Sequence, residues 1–184
     1  MKSEIVYFEE TDSTNTRAKA YAEKGCPHGT LFVADCQSSG KGRRGRNWNA
    51  PAGCNIYMSL LLRPDITPKA APMLTLVMAV SVAVAIREVC GVETKIKWPN
   101  DIVLHKKKLC GILTEMSAGA EGIDYVVIGA GVNVNQEEFP EELMDRAASI
   151  KKETGMTTDR EELRQAIVEN FWKYYKTFLE TEDL

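Results

Sequence analysis

Hydrophobic and polar positions change period several times along the chain, and each change marks an element. Ile5 to Phe8 reads as a short strand. Asp12 or Ser13 then offers a helix N-cap, and the helix runs to about Lys24 before Gly25 stops it. Thr30 to Cys36 is a second strand and Cys54 to Leu62 a third. Between them, Gln37 to Gly53 is glycine-rich and basic, holds almost nothing that packs in a core, and is predicted to be a surface loop. Ala70 to Ile86 runs 17 residues without a charge. It contains Pro72, Thr75 and Ser81, lies at the short limit for crossing a bilayer, and ends in Arg87-Glu88, so it is read as a buried central helix closed by Gly91.

Downstream, Thr94 to Trp98, Ile102 to Leu104 and Leu109 to Met116 suit successive strands, with His105 to Lys108 as the charged turn between the last two. Ser117 to Gly122 is a small-residue turn, and Tyr125 to Val134 a further strand whose Gly129 and Gly131 point to close backbone approach. Thr158-Asp159-Arg160-Glu161 has the pattern of a capping box opening a last helix, with Leu163, Ile167, Phe171, Tyr174 and Phe178 as its apolar face. The order predicts an α+β fold: a mixed, largely antiparallel sheet covered by helices. A parallel nucleotide-binding sheet needs more crossover helices than this.

Charge adds an asymmetry. Residues 1–117 carry 16 basic and 11 acidic side chains, residues 118–184 carry 7 and 15, so a net −3 chain divides into +5 and −8. That division suggests an anionic, phosphate-bearing small molecule on the N-terminal portion and argues against a basic protein coating nucleic acid. Cys26, Cys36, Cys54, Cys90 and Cys110 form neither a CxxC pair nor a disulfide framework, and the N-terminus lacks the pattern of a signal peptide. Both features fit a reducing cytoplasm, with no membrane partner.

Three segments carry candidate chemistry. The loop Ser39-Gly40-Lys41-Gly42-Arg43-Arg44-Gly45-Arg46-Asn47-Trp48 places four cations in six residues among glycines. Guanidinium and ammonium groups converge on phosphate oxygens, and glycine amides line anion-binding concavities. It is not a Walker A loop, and its GxGxxG spacing opens onto Asn-Ala-Pro and not onto a helix. A solvated charged loop and a minor-groove binder remain open readings of the run alone. Lys97-Trp98-Pro99-Asn100-Asp101 projects Asn100 and Asp101 from a strand end with little freedom, either for function or as a simple Asn-Asp turn. In Lys106-Lys107-Lys108-Leu109-Cys110-Gly111, Lys108 begins a strand and has the option of pointing inward beside Gly111.

Taken together, Asp12-Ser13-Thr14-Asn15, GKGRRGRNW at 40–48, KWPND at 97–101, KLCGIL at 108–113 and IGAGVNVN at 128–135 resemble the catalytic domain of biotin protein ligases in order and spacing. The resemblance implies a biotin/lipoate ligase-like fold, akin to class II aminoacyl-tRNA synthetases. It implies a two-step reaction using ATP and magnesium: biotin becomes biotinyl-5′-AMP, then passes to a lysine of a biotin carboxyl carrier domain. By position, Ser13, Thr14, Asn15, Gln37, Lys41, Gly42, Arg43, Lys108 and Gly111 resemble the biotin site. Gly40, Arg46, Trp48, Asn100, Gly131 and Asn133 resemble the adenylate site, with Trp48 stacking on adenine and Asn100 and Asn133 contacting purine or phosphate. Lys108, Arg43 and Asp101 resemble the catalytic set, Asp101 orienting the acceptor lysine or else pairing structurally with Lys97 or Lys108. The metal ligands are not assigned.

The chain departs from the pattern at Lys41, where most family members have arginine, which keeps the charge and loses bidentate geometry. Neither the helix-turn-helix extension of some relatives, and with it DNA binding, nor the usual small C-terminal β-barrel is expected. A homodimer pairing sheets edge to edge is an expectation by analogy. Rival functions are a lipoate or octanoate ligase or transferase of the same fold, a non-catalytic biotin sensor, and a nucleic-acid-binding module.

Overall fold

The computed structural model describes residues 4–48 and 51–181. Seven strands form one sheet: β1 (Ile5–Thr11), β2 (Leu31–Gln37), β3 (Ile56–Leu62), β4 (Lys95–Lys97), β5 (Asp101–Leu104), β6 (Lys107–Gly119) and β7 (Gly122–Val132). Their spatial order is β1-β2-β3-β7-β6-β5-β4. β1 and β2 are parallel, joined through helix α1 (Thr14–Ala22), and every other neighbouring pair is antiparallel. The predicted mixed, mainly antiparallel sheet is therefore the one observed.

Each face of the sheet buries its own apolar set. Helix α2 (Met73–Cys90) and the long α4 (Arg160–Thr181) cover one face, packing on alternate strand residues such as Leu31, Met58, Leu60, Ile112 and Ile128. The smaller α1 covers part of the other through Ala18 and Ala22 against Phe32, Leu61 and Val127. By length and composition α2 is apolar enough to cross a membrane. Here it packs against both the sheet and α4, and the left-handed Gly91 (φ +66°) ends it, as expected.

Several boundaries differ from the pattern. The β5–β6 turn is only His105-Lys106, both with positive φ (+49° and +69°), so Lys107 and Lys108 already belong to the strand. The Ser117–Gly122 turn shrinks to Ala120-Glu121, because β6 and β7 pair out to Gly119 and Gly122. Small residues at 117–119 look like a turn in sequence, yet a long hairpin accommodates them. The α4 cap is Asp159, whose Oδ1 accepts from the Glu161 and Glu162 backbone N–H groups, while Thr158 is buried. Tyr175, not Tyr174, completes the buried face of α4. A short helix α3 (Ile150–Thr154), capped by the Ser149 hydroxyl, carries no strong period and was not predicted.

The C-terminal helix is tied to the segment after α1 through His28. Its ring sits 5.6 Å from Trp172 and 6.0 Å from Tyr175, and its Nδ1 accepts the Arg63 backbone N–H at 2.9 Å. Burial, with the Arg63 guanidinium behind it, pushes the imidazole below the ordinary histidine pKa. The unfolded chain therefore binds this proton more readily than the folded one. Stability from His28 is fully present above the unfolded value near 6.5 and declines as pH falls through the lower folded value. Urea midpoints at pH 7.5 and 5.5 should thus drop more for the native chain than for His28→Phe, and equal drops would refute the assignment.

Candidate active site

The cleft forms where three glycines remove side chains from one face of the sheet. In the pairing, Ser59, Gly129 and Leu113 stand side by side across β3, β7 and β6, and Tyr57, Gly131 and Gly111 form the next row. A Cβ on Gly129 would lie 2.1 Å from Asn15 Oδ1, and one on Gly131 or Gly111 within 2.8 Å of the Trp48 ring. The glycine signal in IGAGVNVN thus translates into close approach, as expected for a strand interior. Over this floor the N-terminus of α1, Gln37 at the end of β2 and the basic loop line a pocket open to solvent on one side.

The inner end of the cleft is polar and neutral. Ser13 is the α1 N-cap, in extended conformation, and its backbone N–H donates to Asp12 Oδ1 at 2.7 Å. Thr14 donates its backbone N–H to Gln37 Oε1 at 2.8 Å, so Gln37 and the Ser-Thr pair line one wall. Asn15 is in the pocket's lining, but it is 3% exposed and both ends of its amide already have partners within the protein. Nδ2 donates to Leu113 O (3.2 Å) and Glu115 Oε2 (2.9 Å), while Oδ1 sits 2.6 Å from Ser59 Oγ. Glu115 also holds Lys19 at 2.6 Å. Although burial opposes it, these two hydrogen bonds and the nearby Lys19 and Lys41 charges keep its carboxyl below the usual range.

Lys108 owes its direction to an irregularity. Between Ile102 and Val103 the β5–β6 register slips by one residue, a bulge that leaves Leu109 of β6 unpaired. The strand is then clamped from outside: Lys108 N donates to Arg146 O (2.7 Å) and Ala148 N donates to Lys108 O (2.8 Å). The side chain passes over Gly111, where a Cβ would meet its Cε at 3.1 Å, and reaches Asp101 Oδ1 at 2.7 Å. Of the two structural partners open to Asp101 in sequence, the ion pair is with Lys108, and Lys97 is its backbone neighbour in the β4–β5 pairing.

The basic loop is mostly surface, as predicted, with two exceptions. Gly40 is buried, its carbonyl accepting the Trp48 N–H at 2.8 Å, and Lys41 bridges to Asn47 around a tight turn at Arg43–Gly45. Trp48 folds back into the cleft across Gly111 and Gly131, with Lys108 Nζ 5.4 Å from its ring centroid. Its Nε1 is buried with no acceptor among the described residues. Arg43 crosses to Asn100 Oδ1 at 2.8 Å, bringing the GKGRRGRNW and KWPND motifs into contact.

Beyond Lys108 the cleft widens and becomes cationic. Arg43, Arg44, Arg46, Lys97, Lys106, Lys108 and Arg146 line it, against Asp101 and Asp145. Asn133 lines it too; one N–H of its Nδ2 is committed to Ala148 O at 3.0 Å, and the second N–H is the group suited to a phosphate or a purine acceptor. Sequence reading missed Ser59, whose only mark is one small polar side chain among the apolar and aromatic residues of its strand, and Arg146, which no motif signals. All five cysteines are free thiols, and burial pushes that of Cys110 up to about 12, which keeps it protonated.

Comparison with known proteins agrees with this geometry. Residues 7–133 match the biotin/lipoate A/B protein ligase family. The chain is 43% identical over 181 residues to the bifunctional ligase/repressor BirA of Bacillus subtilis, covering 97% of this chain and 56% of that protein. It is 36% identical over 169 residues to the biotin--[acetyl-CoA-carboxylase] ligase of Paracoccus denitrificans, covering 89% and 70%. In three dimensions it superposes on the biotin protein ligase from Aquifex aeolicus, solved in complex with biotin and ATP, with a TM-score of 0.84 and 35% identity over 98% of this chain and 73% of that one. The chain thus spans little more than half the length of its Bacillus relative. With a match that runs from β1 to the end of β7 and takes in the glycine floor, Lys108 and the basic loop, the chain belongs to the biotin/lipoate A/B protein ligase family.

Proposed function

We propose that this chain activates biotin with ATP and transfers it to a lysine of a biotin carboxyl carrier domain. One observation carries the reading: a small pocket whose inner wall is formed by the uncharged Ser13, Thr14 and Gln37 opens, past Lys108, into a cleft lined by seven cations. A ureido ring with N–H and C=O edges suits the first, and a triphosphate suits the second. The names of the Paracoccus and Aquifex relatives support the choice of biotin.

In the first step a biotin carboxylate oxygen bonds to the α-phosphorus while the bond from that phosphorus to pyrophosphate breaks. Two anions meet, and Lys108, a point charge at the junction, stabilises the charge that accumulates on the phosphate oxygens. Arg43 and Arg46 act along the phosphates, with Lys41, Gly42 and Gly40 shaping the loop. Asp101 accepts from Lys108 and from Asn100 Nδ2 on Oδ1 alone. Its second oxygen remains to orient an acceptor amine, which attacks the acyl carbon as neutral –NH₂, loses a proton and displaces AMP. Trp48, folded over the floor, shields the mixed anhydride from water.

Magnesium accompanies ATP in this reading. Among the described residues no three His, Cys, Asp or Glu side chains group at metal-binding spacing. The residues present do not build a cage for the ion, and none of these steps is routed through it.

The test is to incubate the chain with magnesium, ATP and either biotin or octanoate and to seek the acyl-adenylate by mass spectrometry. Biotinyl-AMP is expected. Octanoyl-AMP alone would move the chain to the lipoate branch of its family, and biotin binding without any adenylate would make it a sensor.

A further inference from the structure

The edge of the sheet nearest Asp101 carries an exposed surface that the cleft does not use. β4 is the last strand in the sheet, and its neighbour β5 holds Asp101. Residues directly opposite on paired strands share a face of the sheet. Lys95 stands opposite Val103 and Lys97 opposite Asp101, and both partners line the cleft, so the two lysines lie on the cleft's side of the sheet. Trp98 follows them, 76% exposed and part of neither apolar core, although an indole is among the side chains with most apolar area to bury. Residues 95–98 therefore present two ammonium groups and an uncovered aromatic ring just before Asn100 and Asp101, and the nearest acid upstream is Glu93, outside the strand.

The reach of a lysine limits where the protein that owns it can stand. An extended lysine side chain spans about 6 Å from Cα to Nζ, and opposite residues of antiparallel strands have Cα atoms about 5 Å apart. A chain that delivers its amine to the Asp101 carboxylate must therefore run close to Lys97. The inner approach is closed by Trp48 and by the Arg43 bridge to Asn100, and in the biotin reading the nucleotide fills the wide cationic cleft. The rim at β4 is the side left to the acceptor. We propose that Lys95, Lys97 and Trp98 form a docking surface for the carrier domain, and that it receives an acidic, partly apolar segment flanking the acceptor lysine. The proposal rests on the transfer step of the proposed function. Charge complementarity selects the segment: the two lysines attract an acidic flank and repel a basic one, while Trp98 supplies a large, rigid contact beside the point of transfer.

The experiment compares the native chain with Trp98→Ala and Lys95→Glu, with melting curves alongside. Three rates are read: biotinyl-AMP formation, transfer to an unmodified biotin carboxyl carrier domain at rising concentration, and transfer to hydroxylamine. Hydroxylamine attacks the same acyl carbon, loses a proton, displaces AMP and gives the hydroxamate, but is too small to touch the rim. Trp98→Ala should raise the carrier concentration for half-maximal transfer about tenfold or more. Lys95→Glu should raise it about fivefold and flatten its increase with salt. In both variants adenylate formation, the hydroxylamine rate and the transfer rate at saturating carrier should stay within about twofold of native, a split that a general disturbance of the site would not produce. An unchanged carrier dependence in Trp98→Ala, or equal salt dependence in the native chain and Lys95→Glu, overturns the inference. A parallel loss of the hydroxylamine rate overturns it as well, by making Trp98 part of the cleft. Should Trp98→Ala fail to fold, Lys95→Glu, altered at an exposed position, decides by itself. Absence of biotinyl-AMP in the native chain removes the proposed function and this inference with it, whereas native adenylate and hydroxamate formation beside unaltered variants removes the inference alone.

Discussion

Replacing Lys108 with alanine should slow adenylate formation by about 10² to 10³ while leaving the melting temperature close to that of the native chain. The side chain is 37% exposed and fills no core position, so its loss opens no buried cavity. What disappears is, among the described residues, the only cation that is both in the inner pocket's lining and ion-paired to Asp101, at the point where carboxylate and α-phosphate must meet. Lys108→Arg should recover little. Arginine keeps the charge but spreads it over a planar, delocalised fork, which does not replace a compact ammonium on a flexible stem. Asp101→Asn should cost less in this step, because the lysine keeps its charge and loses only its orientation. Its larger effect should fall on transfer to the acceptor. Single-turnover rates of the two half-reactions measure both effects, and a Lys108→Ala chain within fivefold of native in the first would refute the assignment.

Gly129→Ala should destabilise the fold by about 3 kcal/mol or more and abolish biotin binding in whatever chain remains folded. The added Cβ would stand 2.1 Å from Asn15 Oδ1 and 2.9 Å from its Cγ, far inside contact distance. Asn15 cannot step aside cheaply, since Leu113 O, Glu115 and Ser59 hold its amide on three sides. Displacing it leaves several buried polar groups without partners and releases the Thr14 wall of the pocket. The contrast with Gly25 is the control: its φ is +84° and a Cβ there meets nothing within 4 Å, so Gly25→Ala carries only the backbone strain of a left-handed residue. Denaturant midpoints of the two variants should differ accordingly, and a Gly129→Ala chain as stable as Gly25→Ala would show that the cluster has more slack than its distances imply.

Much of the site was legible because its chemistry is local in sequence. The basic loop, KWPND and the lysine-led strand each announce a residue type that phosphate and carboxylate chemistry needs, and the structure brings Arg43 to Asn100 and Lys108 to Asp101. What local sequence did not show has a different cause. Asn15 and Asn133 look in sequence like free amides, but each is used by a strand or turn far along the chain: Asn15 by β6, nearly a hundred positions away, and Asn133 by the turn at Ala148. Ser59 and Arg146 carry no motif and matter only through what the fold sets beside them.

By itself, then, the sequence determined the element types, the mixed sheet, the buried character of α2, and the kinds of charge and hydroxyl available to a ligand. These follow from period, propensity and composition, which act over a few residues. Tertiary structure alone decided which polar groups remain available. Strand register places Gly129 between Ser59 and Leu113, the bulge beside Leu109 aims Lys108 across Gly111, and together they determine where Asn15, Thr14 and Asp101 direct their hydrogen bonds. A hydrogen bond depends on angstroms between atoms, and residues tens of positions apart acquire such distances only when the sheet is assembled.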